Sequence, residues 1–177
     1  DIVSKSFGTP LYNLLGGKFR EKIMVYPSFM GYVPSYMLDE VKKQGFKAIK
    51  FKVGFDVERD FEEVKRVRDA LNEFKIMLDG NQGYELYQAI EFAGKIKNLE
   101  IEWFEEPINV YNIKDLEILA EKTHIPIALG ENYYSLYEFS DVITTGIVNV
   151  IQPDMNHGGG LTHIRKIASI AECYDVK

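Results

Sequence analysis

The sequence of 177 residues contains a single cysteine, Cys173, so the chain cannot form a disulfide bond within itself. It has no apolar run near the roughly 18 residues that a membrane-spanning helix requires. It also has no cluster of lysines or arginines, and its formal net charge is -6, which argues against a surface that neutralises a row of phosphates. These absences predict a protein of the reducing cytoplasm that binds neither nucleic acid nor membrane.

The chain also lacks a linker rich in proline or serine and has no low-complexity segment. Its residues are 46% hydrophobic and 27% charged, which is typical of a globular protein with one sizeable core. The first residue is Asp1 and not methionine. We therefore expect the sequence to be a piece of a longer chain.

Short apolar runs alternate with longer amphipathic segments along the chain. The apolar runs predict strands at 22–29, 48–53, 75–79, 101–105, 125–129 and 148–152. The segments between them carry apolar residues at three- or four-residue spacing, which predicts helices, at 56–74, 89–96, 116–120 and 162–174. Ser135 and Glu138 have the spacing of a capping box at the start of a further helix. This alternation predicts an α/β fold with a parallel sheet, either open and doubly wound or closed into a barrel.

Charged residues stand at or just after the ends of five successive predicted strands. They are Lys52, Asp79, Glu105, Glu131 and Asp154, separated by 27, 26, 26 and 23 residues. In a parallel barrel the carboxyl ends of all strands meet at one rim, whereas an open sheet spreads them along an edge. The regular spacing therefore favours a barrel with a polar site at its rim.

Three carboxylates of this series, Asp79, Glu105 and Glu131, follow one another at equal spacing and indicate a metal site. Taken alone, Asp79 next to Gly80 is typical of an ordinary turn, and Glu106 before Pro107 is typical of a strand terminator. Three acids at one rim repel one another, however, and a cation offsets that repulsion. Oxygen ligands without cysteine or histidine suit Mg²⁺ and leave Mn²⁺ open.

Two lysines alternate with apolar residues in the second predicted strand. Lys50 and Lys52 share one face of that strand, and Ile49, Phe51 and Val53 share the other. If the apolar face packs against helices, both ammonium groups point into the barrel, where each lowers the pKa of the other. One of them would then be a base near neutral pH. A solvated edge strand with alternating lysines is the alternative.

Five short motifs in a fixed order resemble those of the enolase superfamily, in its mandelate racemase/muconate lactonizing enzyme family. They are KFK at 50–52, LDGNQ at 78–82, WFEEP at 103–107, GEN at 130–132, and QPD at 152–154 followed by GG at 159–160. The segment 8–22 also resembles the stretch that enters the barrel in that family. The resemblance covers nearly the whole chain.

The resemblance implies a (β/α)7β TIM-like barrel, of which this chain carries about six strands. It also implies an N-terminal α+β capping domain, which we expect to lie before Asp1. On this basis residues 1–21 lead from the capping domain into the barrel, and residues 22–177 form a partial catalytic barrel. Association into a homo-oligomer is a further implication.

The resemblance also implies roles for individual residues. The Mg²⁺ ligands would be Asp79, Glu105 and Glu131. Three neighbours would orient ligands or substrate, namely Asn81, Glu106 and Asn132. The barrel rim also carries His157, which could contact substrate or serve only in the turn that precedes the glycines.

The implied catalytic residues are Lys52, Lys50 and Asp154. Lys52 would be the acid/base, and Lys50 would assist it electrostatically or contact the substrate carboxylate. Asp154 matches an aspartate that pairs with a catalytic histidine on the next strand, which we expect after Lys177. Muconate lactonizing enzymes carry a lysine where this sequence has His157, and this difference argues against cycloisomerase chemistry.

The implied reaction is Mg²⁺-dependent removal of the proton alpha to the carboxylate of a small substrate, through an enediolate. Sites of this superfamily pair a Lys or His base with Mg²⁺. The rim sequence 154–157 favours dehydration of an acid sugar, such as gluconate or galactonate, to a 2-keto-3-deoxy acid. A racemase or epimerase of a 2-hydroxy acid or amino-acid derivative would use the same residues, and a non-catalytic barrel module is a third hypothesis.

Overall fold

The structure is a computed structural model that describes residues 1–177. It contains six strands, β1 to β6, at Ser28–Phe29, Ala48–Lys52, Lys75–Asp79, Ile101–Glu105, Ile127–Leu129 and Val150–Ile151. It contains eight helices, α1 to α8, at Ile2–Ser6, Leu11–Leu14, Ser35–Lys43, Val57–Ala70, Leu86–Ile96, Ile113–Lys122, Leu136–Thr144 and Gly160–Cys173. The predicted α/β class is confirmed.

The six strands form one parallel sheet in sequential order from β1 to β6. A doubly wound sheet reverses its strand order at a switch point, whereas sequential parallel pairing is the arrangement of a (β/α) barrel. The sheet therefore corresponds to the barrel that the spacing favours. Its register places Lys52 beside Asp79 and Asp79 beside Glu105, so these three side chains end their strands at one level.

The apolar face of the strands packs against the helices. Ile49 and Phe51 of β2 and Leu78 of β3 are fully buried there, together with Phe104 of β4 and Phe92 of α5. Because side chains alternate across a strand, the same strands present Lys50, Lys52, Asp79 and Glu105 on the opposite face. The lysines therefore do not belong to a solvated edge strand.

The first predicted strand is much shorter than expected. The sequence predicts a strand at 22–29, but only Ser28–Phe29 pairs with β2. Residues 21–25 are exposed and have no strand beside them, so their apolar alternation has neither a ladder nor a core to join. The strands β5 and β6 are also shorter than the runs that predict them.

The sequence analysis misses three helices. The longest, α3, begins after Pro34 and buries only Leu38 and Val41, so its apolar stripe is too narrow to stand out. The short helices α1 and α2 lie in the segment expected to lead into the barrel. The capping box of α7 is confirmed, because Ser135 Oγ accepts the Glu138 N–H and the Glu138 carboxylate accepts the Ser135 N–H. None of the eight helices is long and apolar enough to cross a membrane.

Candidate metal and catalytic site

Three carboxylates converge at the carboxyl end of the sheet. Asp79 is the last residue of β3, Glu105 is the last residue of β4, and Glu131 lies two residues after β5. One carboxylate oxygen from each lies within 4.8 Å of those of the other two. Asp79 and Glu105 are only 3% and 2% exposed. Charges so close and so buried repel strongly unless positive charge lies beside them.

Two glycines allow the loops around these carboxylates to pack closely. A Cβ atom on Gly80 would lie 2.8 Å from the backbone oxygen of Glu106. A Cβ atom on Gly130 would lie 2.9 Å from backbone atoms of Gln152, and the φ angle of Gly130 is +141°. Only glycine fits these positions without displacing backbone. The two glycines thus permit the successive rim loops to approach one another.

The two lysines of β2 supply the positive charge. Lys50 Nζ donates to both carboxylate oxygens of Glu105, at 2.8 and 2.7 Å, and lies 3.7 Å from Asp79 Oδ2. Lys52 Nζ donates to Asp79 Oδ2 at 3.0 Å. The side chains of Lys50 and Lys52 are 12% and 18% exposed. Both ammonium groups therefore point into the site, as the alternation in β2 predicts.

The pKa of Lys50 differs in direction from the expectation. Burial acts to lower the pKa of Lys50, but the hydrogen bonds that Lys50 donates to Glu105 and the charges of Glu105 and Asp79 outweigh burial and raise it. The expectation did not include the two carboxylates, on β3 and β4, that face Lys50. These contacts favour the protonated form of Lys50.

Three amide side chains hold carboxylates at the rim. Asn81 Nδ2 donates to Glu131 Oε1 at 2.8 Å, and Asn132 Nδ2 donates to Glu106 Oε2. Gln152 Nε2 donates to Glu105 Oε2 at 3.1 Å. Sequence reasoning noted Gln152 only as part of a motif. Its position directly after β6, at the carboxyl end of the sheet, is the signal that would have placed it in the site.

Glu106 is fully buried beside this cluster. Burial raises the pKa of Glu106 to about 7, the nearby Glu131 and Glu105 charges add to the shift, and the Asn132 hydrogen bond opposes it. The Oε1 atom of Glu106 has no hydrogen-bond partner, although buried carboxylate oxygens are normally bonded. The site therefore contains acceptor capacity that the protein itself does not use.

Asp154 and His157 lie apart from the carboxylate cluster. Asp154 Oδ1 accepts the backbone N–H of Asn156 at 2.6 Å, which is a local turn contact. The exposed His157 ring stacks on Tyr134, with ring centroids 5.5 Å apart. The stacking connects the loop after β6 with the loop after β5. No hydrogen bond joins Asp154 or His157 to the lysines or the three carboxylates.

The donor set fits the divalent cation that the sequence predicts. The three carboxylates offer oxygen ligands within 4.8 Å of one another, and no cysteine or histidine belongs to the cluster. Mg²⁺ prefers oxygen ligands, and Mn²⁺ accepts the same set. The adjacent Lys50 and Lys52 occupy the same carboxylate oxygens, so a cation would share them with the ammonium groups.

Similar proteins include sugar-acid enzymes of two reaction classes. The chain is 31% identical over its whole length to D-galactarolactone cycloisomerase of Agrobacterium fabrum. It is 33% identical over 97% of its length to arabinonate dehydratase of Saccharolobus solfataricus. The chain spans 49% and 48% of these two proteins, which is about half their length. The presence of a cycloisomerase among the relatives weakens the argument that His157 excludes that class.

A solved structure shares the fold closely. An enolase from Bradyrhizobium, crystallised with magnesium and mandelic acid, superposes with a TM-score of 0.90 over 98% of this chain and 50% of that one, at 29% identity. The family model described as enolase C-terminal domain-like matches residues 36–177. The matched range contains every strand except β1, and with them all three carboxylates and both lysines. The chain therefore belongs to the enolase C-terminal domain-like family.

Proposed function

We propose that the protein removes the proton alpha to the carboxylate of a small sugar acid, in a Mg²⁺-dependent reaction that ends in dehydration. The observation that carries this proposal is the convergence of three carboxylates at one rim, two of which bond half-buried lysines. A cluster that only stabilised the fold would not need carboxylate oxygens in excess of its internal donors. The sugar-acid names of the two relatives support the substrate class.

Asp79, Glu105 and Glu131 would hold Mg²⁺. When bound, the ion supplies positive charge that stabilises the negative charge developing on the substrate carboxylate. Asn81 would keep Glu131 oriented and Gln152 would keep Glu105 oriented, through the hydrogen bonds that they already make. Such supporting contacts fix ligand geometry.

Lys52 would accept the alpha proton at its Nζ. Lys52 is the more exposed of the two lysines, and its single close carboxylate is Asp79 at 3.0 Å. Lys50 bonds both oxygens of Glu105 and would remain a cation that stabilises negative charge on the substrate. The two lysines would thus divide the work, with one moving the proton and the other supplying charge.

Dehydration would follow when the enediolate left by proton removal expels the β-hydroxyl group. The C–O bond breaks, the departing oxygen takes a proton from a general acid and leaves as water, and the enol product becomes a 2-keto-3-deoxy acid. Asp154 would serve this step by orienting a histidine acid. Reprotonation of the enediolate instead would give a racemase or epimerase, which the isomerase among the relatives keeps as the second candidate.

The deciding experiment is proton NMR of the whole protein in D2O with Mg²⁺ and a panel of sugar acids, 2-hydroxy acids and dipeptides. Loss of the alpha-proton signal together with a 2-keto-3-deoxy product would support dehydration. Exchange of the alpha proton without elimination would support the racemase or epimerase. If the proton spectrum of no compound in the panel changes, either with Mg²⁺ or with the metal chelated, the proposed reaction is wrong.

Thermal unfolding separates an enzyme from a non-catalytic barrel module. A ligand that binds only the native state at 100 times its Kd adds about 2.7 kcal/mol to the free energy of unfolding. We expect millimolar Mg²⁺ to raise the Tm of the whole protein. A Tm that neither Mg²⁺ nor Mn²⁺ changes would contradict the proposed metal site and favour the hypothesis of a non-catalytic barrel module.

A further inference from the structure

Asp60 is a buried carboxylate outside the metal cluster. It lies in the first turn of α4 and is only 5% exposed. Its Oδ2 atom accepts the backbone N–H groups of Gly54 at 2.9 Å, Phe55 at 2.9 Å and Asp56 at 3.1 Å, and also the Tyr84 hydroxyl at 2.6 Å. Buried polar atoms normally have at least one hydrogen-bond partner, and this single oxygen has four.

The three backbone donors follow directly after the strand that carries Lys52. The Val53 N–H donates to the Asp79 backbone oxygen at 2.9 Å, which is the last bond of β2 to the neighbouring strand. From Gly54 to Asp56 the backbone N–H groups bond Asp60 instead. The Asp60 carboxylate therefore accepts the backbone N–H groups that follow the end of the sheet, beginning two residues after Lys52.

The fourth donor connects this loop with the loop that follows Asp79. Tyr84 is 4% exposed and packs against the Phe92 and Phe104 rings, with centroids 5.2 and 6.2 Å away. Burial and the Asp60 carboxylate both raise the pKa of Tyr84, so its hydroxyl stays protonated and donates. Tyr84 thus attaches Asp60 to the rigid core.

The two loops touch so closely that neither can shift alone. A Cβ atom on Gly83 would lie 2.5 Å from the Gly54 backbone oxygen, and one on Gly54 would lie 2.6 Å from the Gly80 backbone oxygen. Gly80 directly follows Asp79. Asp60 and Lys52 also line the same cavity of about 430 Å³ between the loops after β1 and β2.

We propose that Asp60 and Tyr84 are positioning residues that fix the loop after β2 against the loop after β3 and thereby hold Lys52 Nζ at its distance from Asp79. Neither residue contacts the lysine or a metal-ligating carboxylate, so their action is through the backbone. The inference rests on the proposed role of Lys52. Its geometric part concerns only where Lys52 lies, and can be measured without a substrate.

The test compares three variants of the whole protein. Tyr84→Phe removes the hydroxyl but keeps the ring in the core, and Asp60→Asn keeps the shape but removes the charge. Asp56→Ala is the matched control. The Asp56 side chain caps the same helix by accepting the Arg59 N–H at 2.9 Å, so its loss destabilises α4. The Asp56 backbone N–H that bonds Asp60 remains in this variant.

The first readout is the rate at which a small lysine-directed reagent modifies Lys52, followed by mass spectrometry of the peptides. Lys75, whose side chain is 54% exposed, is the internal reference. Losing a hydrogen bond to a charged group changes an opening equilibrium by about tenfold or more. We expect Lys52 to react about tenfold faster in Tyr84→Phe and Asp60→Asn, and at the wild-type rate in Asp56→Ala.

The second readout is turnover on any substrate that the NMR panel identifies. A misplacement of about 1 Å far from the chemistry can cost about 100-fold. We expect kcat to fall about tenfold in Tyr84→Phe and about 100-fold in Asp60→Asn, with KM nearly unchanged, and both constants to stay normal in Asp56→Ala. A purely structural role would lower kcat in all three variants in proportion to their loss of stability.

Each result decides a separate question. Unchanged modification of Lys52 in both Asp60→Asn and Tyr84→Phe would overturn the positioning role, whatever the turnover. Equal acceleration in Asp56→Ala would also overturn it, since general loosening of α4 would then be the cause. If the wild-type protein turns over no substrate but Lys52 still reacts faster in the two variants, the positioning role stands and the proposed function fails.

Discussion

The two faces of the central strands differ in what they contribute, and β4 shows this within two residues. Phe104 points to the helices and lies in the hydrophobic core with Leu78, Phe92 and the ring of Tyr84. Glu105 points to the other face and is equally buried, but among Lys50, Asp79 and Gln152 side chains. Burial alone therefore does not separate stabilising residues from functional ones.

What separates the two faces is the cost of their contacts. Burying apolar area on the helix face is favourable without further conditions. Burying charge on the other face costs free energy that ion pairs only partly return. The central strands nevertheless keep four charged residues there, Lys50, Lys52, Asp79 and Glu105, which supports the proposal that the polar face serves chemistry.

The largest expected effect is that of Glu105→Gln. The change removes one ligand charge but keeps the shape of the side chain, and Lys50 retains Asp79 at 3.7 Å. We expect alpha-proton exchange to fall below detection and the fold to remain. Proton NMR in D2O measures the first, and circular dichroism measures the second.

Mg²⁺ titration gives the control for Glu105→Gln. The wild-type protein should gain Tm with Mg²⁺, and the variant should gain little or none at the same concentration. Normal turnover in Glu105→Gln would show that Glu105 is not a ligand. If Glu105→Gln does not fold, Glu105 is required for the fold, as Phe104 is. The proposed difference between the two faces would then be wrong.

Lys52→Ala should have the next largest effect. General acid–base catalysis contributes about 100- to 10,000-fold, so we expect alpha-proton exchange to fall by that factor. The three carboxylates remain in place, and Mg²⁺ should therefore still raise the Tm. Alpha-proton exchange at the wild-type rate would show that another residue is the base. Loss of the Tm increase with Mg²⁺ would show that Lys52 takes part in the metal site.

Phe104→Ala tests the helix face. Replacing a fully buried phenylalanine by alanine costs about 3–5 kcal/mol of unfolding free energy, which urea unfolding measures. If the protein stays folded, we expect Mg²⁺ to stabilise it as in the wild type. A small change in stability together with a large loss of turnover would contradict the division of labour between the two faces.

The sequence predicts the barrel strands well where apolar runs end in a charge. The strands β3 and β4 begin and end at the predicted residues, because Asp79 and Glu105 mark where each chain leaves the core. The apolar runs at 22–29 and 148–152 end without a charged residue and pair over only two residues each. Strand length depends on the neighbouring strand, which local sequence does not contain.

The candidate site is only partly readable from spacing. The equal intervals predict that Asp79, Glu105 and Glu131 meet, and their oxygens do lie within 4.8 Å. Their roles as ligands remain predictions. The direction of the Lys50 pKa shift could not be read from the sequence, because it depends on which carboxylates the register brings within reach of Nζ.

The sequence pattern also does not identify Asp60 as a candidate positioning residue. In the sequence it is one of several acidic residues in the first turns of an amphipathic helix, and such residues are usually exposed. Its four bonds arise only when α4 folds back over the loop after β2 and meets Tyr84 from the next unit. Contacts of this kind depend on tertiary structure that spacing does not encode.

The smallest expected effect is that of Lys75→Ala, at the opposite end of the polar face. Lys75 begins β3 and pairs with Glu102 at 2.7 Å, but the two side chains are 54% and 32% exposed. Exposed pairs contribute no more than about 1 kcal/mol, so urea unfolding should detect little change and alpha-proton exchange should stay normal. Lys50→Ala is the matched comparison, since it leaves Glu105 buried without its cation, while Asp79 keeps Lys52, and it should cost several times more, on the order of 3–5 kcal/mol. Added Mg²⁺ should recover part of the loss in Lys50→Ala and none in Lys75→Ala, because only the former exposes carboxylates that a divalent cation can bind. If the two variants lose the same free energy of unfolding, the position of a lysine–glutamate pair along the strand does not affect its contribution. The physical argument for a functional site at the carboxyl end of the sheet would then be wrong.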